Sequence, residues 1–163
     1  IAMSGGSKSS LYGYFTNKEG LFEAVIRDQC RSILDTFSAL DIESETVEDV
    51  LFEIGFNFTW GLCQPNRIRL FRIVMGESLR FPQLGVLFYN AGPVAAYKRL
   101  APYLQAKLCL SSEEAYLSAV QFLDMVKAPI HLQICLNIQG DFSDDAMKKN
   151  VKRSVSTFLN GKA

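Results

Sequence analysis

The sequence predicts an all-α protein, on three observations. Apolar residues recur at helical spacing through almost the whole chain. No stretch shows the strict alternation of a half-buried strand, and no Asn-Gly hairpin turn occurs. Helix-start signals stand ahead of the apolar runs at Thr46, Pro65, Ser111 and Ser143.

Taken in order, Ser7 caps a short helix running to Phe15. Asn17 caps a longer one from about Lys18 to Leu40, whose apolar positions include Leu21, Phe22, Val25, Ile26, Ile33, Leu34 and Phe37. Thr46 with Asp49 resembles a capping box with the shorter acid. Val47, Val50, Leu51, Ile54 and Phe58 follow at helical spacing, up to about Cys63. Pro65 suits a first helical turn, where its missing N–H costs nothing. That helix carries Ile68, Phe71, Ile73 and Val74 and ends near Glu77. Pro82 opens the next run, in which Gly92-Pro93 imposes a kink or a break. Ser111-Ser-Glu-Glu114 is a full capping box, and its apolar helix is expected to continue to Ile138 with Gly140 as the carboxy-terminal cap. Ser143, followed by Asp144 and Asp145, starts the last helix, where Met147, Val151, Val155 and Phe158 form one stripe before Gly161.

A chain of 163 residues, 48% hydrophobic and 21% charged, has the composition of a globular protein with one sizeable core. Its net charge is zero, which excludes a global basic field and leaves nucleic-acid binding to a local patch. Residues 1–18 supply one: Lys8 and Lys18 without an acid, against 15 basic and 17 acidic groups in the remainder. Cys30, Cys63, Cys109 and Cys135 are far apart and the chain has one histidine, so the paired spacing of a zinc site is missing and no metal or cofactor is expected. Scattered cysteines fit reduced thiols in the cytoplasm. The apolar stretch 115–138 holds Gln121, Asp124, Lys127, His131, Gln133 and Asn137, too many polar groups for a membrane span. The polar residues there form only a narrow stripe. This helix and the last one are therefore expected to serve as core on one side and to pair with a second copy on the other.

The opening stretch GGSKSSLYGYFTNKEGLFEAV, residues 5–25, is unlike the rest. In helical projection Leu11 and Phe15 share an inward face. Ser9 and Gly13 lie opposite them, with Lys8 and Tyr12 on one shoulder and Ser10 and Tyr14 on the other. Small outward residues let a backbone come close to a surface, and hydroxyls with an ammonium at the edges can donate to phosphates beside a DNA groove. Lys18 adds a cation at the next helix start, where free backbone N–H groups also favour anions. Small, hydroxyl-rich clusters are more commonly plain loops, and tyrosines more commonly pack.

The order of residue types narrows this. SKSSLYGYFTNKEGLF resembles the second half of the DNA-binding domain of the TetR family of transcriptional regulators, with Ser4, Gly5, Ser7, Ser10, Leu11, Tyr12, Tyr14, Phe15, Lys18, Glu19 and Leu21 matching the family pattern. FRIVMGESLRFPQLGVLFYNAGP, residues 71–93, is similar to the ligand domain of an AcrR/AefR-like branch. Two departures stand out. The family pattern has a first helix and a full second helix before this motif, so Ile1 is expected to fall inside the second, with the DNA-binding domain incomplete. Gly6 stands where a valine commonly plugs the turn.

The resemblance implies two parts: residues 1–40, the end of a helix-turn-helix domain with its connecting helix, and residues 41–163, an effector-binding and dimerisation domain. It implies a homodimeric regulator, a repressor in the first instance, that leaves a double-stranded DNA operator when a small molecule binds. Lys8, Ser9 and Gly13 are then expected near base edges, and Ser7, Ser10, Tyr12, Tyr14 and Lys18 at phosphates. Phe56, Trp60, Phe71, Phe88, Tyr89, Tyr97, Phe122 and Met125 can wall an effector cavity suited to an apolar or aromatic molecule, although core packing is the commoner role for each taken singly. His131, beside Pro129, is expected as a core or interface histidine. No enzyme is expected: there is no Ser/His/Asp order or glycine-rich phosphate loop, and Glu113-Glu114 and Asp144-Asp145 sit where they offset helix dipoles. The alternative is a helical adaptor that binds another protein without touching DNA.

Overall fold

The computed structural model describes residues 18–38 and 46–161, which form helices joined by short turns, with no strand among them. Helix α1 spans Lys18–Leu34 and passes into a 3-10 turn, Asp35–Ser38, so the α-helix expected to Leu40 tightens before it gets there. Helix α2, Val47–Leu62, starts at Thr46, whose hydroxyl accepts from the Asp49 backbone N–H at 3.2 Å. Helix α3 is Pro65–Glu77 and α4 is Pro82–Tyr89, each with proline in its first turn. The expected break at Gly92-Pro93 is instead a π turn, Asn90–Val94, through which the chain continues into α5, Ala95–Leu108. The wider turn accommodates the proline, which has no N–H to give, without ending the helix.

The helix expected from the Ser111 cap to Ile138 is two helices, α6 at Ser112–Lys127 and α7 at Ile130–Cys135. Pro129 is the cause. It offers no N–H to the preceding turn, and it disfavours helical geometry at Ala128, which is extended at φ −82° and ψ 143°. The break frees the Val126 carbonyl, which is taken up by the Thr59 hydroxyl at 3.2 Å and the Asn150 amide at 2.7 Å. Gly140 does not close the helix; Asn137, at φ 57°, provides the left-handed residue beyond α7. The last helix, α8, runs Asp144–Asn160 from its Ser143 cap.

Two layers of packing result. The main core joins α2, α5, α6 and α8 through fully buried Leu51, Leu100, Leu104, Phe122, Leu123 and Val151. Helices α2, α6 and α8 meet closely at Gly55, where a Cβ would come within 2.9 Å of Val151 Cγ1 and 3.1 Å of Val126 Cγ1. A smaller cluster joins α1 to α3 through Ile26, Cys30, Leu70 and Val74, with α4 laid against it. Among the described residues no helix is long and apolar enough to cross a membrane.

Candidate ligand cavity

Between the two clusters lies a cavity of about 390 Å³, within the usual size range of small-molecule sites. It is lined by α1, α2, α3, α4, the π turn, α5, and both sides of the Pro129 break. Helix α1 presents Cys30, Ile33 and Leu34, and α2 presents Phe58 and Leu62, one turn apart. Aromatic walls come from Phe71, Phe88 and Tyr97. The Phe71 and Phe88 rings are tilted at a centroid distance of 5.9 Å. Gly92 gives room, since a Cβ there would lie 3.2 Å from Cys30 Sγ.

The polar groups on this wall are few. His131 is 8% exposed and sits edge-on to Phe71 at 5.1 Å between centroids. Burial, helped by the nearby Lys127 charge, pushes its pKa down to about 4, so the ring is neutral at pH 7. Its ring nitrogens contact the Cys135 sulfur at 3.6 and 3.9 Å. Tyr97 donates to Asp124 at 3.4 Å, and burial with that carboxylate raises its pKa to about 12. Lys127 is paired with the same carboxylate. The Arg67 guanidinium donates from Nη1 to the Gly61 carbonyl at 2.8 Å and from Nη2 to Ser32 Oγ at 2.7 Å. Burial holds the Cys30 thiol protonated, its pKa raised to about 11. The described residues contain no group of histidines, cysteines and acids able to hold a metal.

Of the eight residues expected on a cavity wall, Phe71, Phe88 and Tyr97 line this one together. The other five lie elsewhere, for reasons of helical period. With Phe58 and Leu62 facing the cavity, Phe56 and Trp60, each two positions away, fall on another side of α2. Phe56 stacks on Phe52 beneath Lys148, and Trp60 is 45% exposed. Tyr89, next to Phe88, is 56% exposed. Phe122 belongs to the main core, its ring 5.2 Å from that of Phe158. Met125 is half-buried beside it on α6, off the face that Phe122 and Val126 share. His131, expected as a core or interface residue, lines the cavity. Sequence reasoning also missed Cys30, Ile33, Arg67 and Ala96; their signal is only that they lie in register with cavity-facing neighbours. On the DNA side, Ser7, Lys8, Ser9, Ser10, Tyr12, Gly13 and Tyr14 lie outside the described residues, and Lys18 is the first residue of α1.

Among the described residues the fold is all-helical, with a mainly apolar cavity against α1. Residues 49–161 match the C-terminal domain of AefR-like transcriptional repressors. The chain belongs to the TetR family of transcriptional regulators. A TetR-family regulator from Mesorhizobium loti MAFF303099, solved at 1.54 Å, superposes with a TM-score of 0.84 over 96% of this chain and 80% of its own; at 23% identity this is a likeness of fold. The Flavonoid-responsive Regulator FrrA superposes with a TM-score of 0.76 at 29% identity, over 95% of this chain and 80% of its own. No curated protein sequence matches the chain.

Proposed function

We propose that this regulator represses by binding operator DNA as a homodimer and lets go when a small aromatic molecule fills the cavity. The observation that carries the proposal is the composition of the cavity wall. Cys30, Ile33 and Leu34 belong to α1, the helix that directly follows the DNA-reading sequence, while the opposite wall belongs to α3, α5 and α7. A ligand that wedges these elements apart displaces α1 and with it the spacing of two recognition helices, which must match half-sites about one helical turn, or a multiple, apart. The aromatic walls, and a structural neighbour whose name describes it as responsive to flavonoids, support a flat aromatic effector. Lys8, Ser9 and Gly13 then read base edges, while Ser7, Ser10, Tyr12, Tyr14 and Lys18 hold phosphates.

For the dimer, α6, α7 and the residue just past α7 expose Leu117, Leu132 and Leu136. The outer face of α8 is instead basic, with Lys148, Lys149, Lys152 and Arg153 exposed. Apolar contact with a second copy therefore runs mainly through α6 and α7, with α8 contributing an edge.

The test is a gel shift of the full-length protein against its own upstream DNA, with and without aromatic ligands. A shifted band that ligand dissolves is expected; no binding to that DNA favours the adaptor. Lys18→Ala should weaken all DNA sequences alike and lower the salt slope by about one. Lost discrimination at an unchanged slope would remove Lys18 from the phosphate contacts.

A further inference from the structure

The cavity's polar groups are unequal in how well they are satisfied. Lys127 has its carboxylate, Asp124. Arg67 has no ion pair among the described residues, and no acid lines the cavity. Its two bonded nitrogens reach neutral oxygens, and its Nε is buried without a hydrogen-bond partner. A partly desolvated guanidinium held only by neutral acceptors gains from an anion more than any other lining group does. Phe71 stands one turn further along the same face of α3, about 6 Å of helix rise from Arg67. His131 lies edge-on to that ring. It is more than nine-tenths buried, and sulfur is the one partner of its ring nitrogens among the described residues. A neutral imidazole offers one N–H and one lone pair, and a hydroxyl serves either.

We propose that the cavity takes a hydroxylated aromatic acid as its monoanion, with the carboxylate at Arg67, the ring over Phe71 and the hydroxyl at His131. This rests on the effector reading above and adds to it the charge and the two polar ends of the ligand. A neutral aromatic of the same shape leaves Arg67 without its counter-ion; an aromatic acid lacking the hydroxyl leaves His131 with sulfur alone.

The test is calorimetric titration of the full-length protein with 4-hydroxycinnamate, its methyl ester, and cinnamate. The acid is expected to bind at least about tenfold tighter than the ester, as a charge-assisted pair does over a neutral one. Arg67→Gln should abolish that preference and Arg67→Lys should keep part of it. Because Arg67 also ties α2 to α1, the comparison within the unaltered protein stands by itself should Arg67→Gln not fold. His131→Phe should remove the preference for 4-hydroxycinnamate over cinnamate. Equal binding of acid and ester overturns the proposal, as does a His131→Phe protein that loses both cinnamates alike. An ester that binds as well as the acid and dissolves the operator complex leaves the effector reading intact while sinking this one. If no aromatic of either charge binds, both fall together.

Discussion

The two sides of the molecule are built from the same kind of helix and differ in what lies between them. On one side α2, α6 and α8 pack tightly: Gly55 lets them meet so closely that a single added methyl would come within 2.9 Å of Val151 Cγ1 and crowd Val126. On the other side α1, α3, α4 and α7, with one face each of α2 and α5, surround a hollow, and the cluster that joins α1 to α3 is four buried residues, Ile26, Cys30, Leu70 and Val74. The difference shows where stability and response are separated. A close-packed core transmits strain and resists change in volume. A hollow whose walls include α1 can change shape without unfolding the rest.

The sharpest way to break that comparison is to cut one aromatic from each side. Phe122→Ala removes a fully buried ring between α2 and α8 and should cost roughly 3–5 kcal/mol in urea unfolding, with ligand affinity of the folded protein unchanged. Phe71→Ala removes a half-buried ring that already borders empty space, and should cost only about 1–2 kcal/mol while weakening an aromatic ligand tenfold or more. Equal losses of stability would mean that the hollow is not a separate compartment.

The next effect is a pH dependence that belongs to the hollow side. His131 has a folded pKa of about 4 against an ordinary 6.5. Between those values the unfolded chain takes up a proton that the folded one refuses, so stability falls as pH drops through that window. The loss from this group amounts to about 3 kcal/mol at most. His131→Phe should flatten the profile between pH 6.5 and 4, measured by denaturant midpoints at each pH. An unchanged slope would show that the ring reaches water.

How much of this is legible in the sequence follows from the same contrast. The solid side is written in periodic pattern: Val50, Leu51, Ile54 and Phe58, or Met147, Val151, Val155 and Phe158, mark a face because burial demands one. The Ser111-to-Glu114 capping box is equally plain. The hollow side is less so, because a cavity is defined by what is missing. Choosing aromatics picks out Phe71, Phe88 and Tyr97 on its wall but also Phe122, whose ring fills the core instead. Trp60 stands out by its size, yet period places it on another side from Phe58 and Leu62. Arg67 and Gly92 give no local sign, since their place on the wall depends on how α3 and the π turn meet α1. The break at Pro129 is readable from the proline alone; the strong apolar run on both sides of it suggests a continuity that the backbone does not allow.

The smallest effects concern two local anchors, one on each side. Ser111 accepts from the Glu114 N–H at 3.2 Å, while the Glu114 carboxylate accepts from the Ser111 N–H at 3.0 Å, which fixes the start of α6 in the solid side. Arg72 donates from Nε to the Cys135 carbonyl at 2.8 Å and from Nη2 to the Ile134 carbonyl at 2.7 Å, which clamps the end of α7 to α3 beside the hollow. Ser111→Ala should lower global stability by about 1 kcal/mol and leave ligand binding alone, because α6 unfolds only with the core it belongs to. Arg72→Met removes two exposed charge-assisted bonds and should change the denaturant midpoint little. It should speed amide exchange along Ile130–Cys135, since α7 then opens without the main core opening with it. Exchange that quickened equally in α6 and α7 would join the two sides into one cooperative unit, and the hollow would then lack the independent motion that the proposed release of DNA requires.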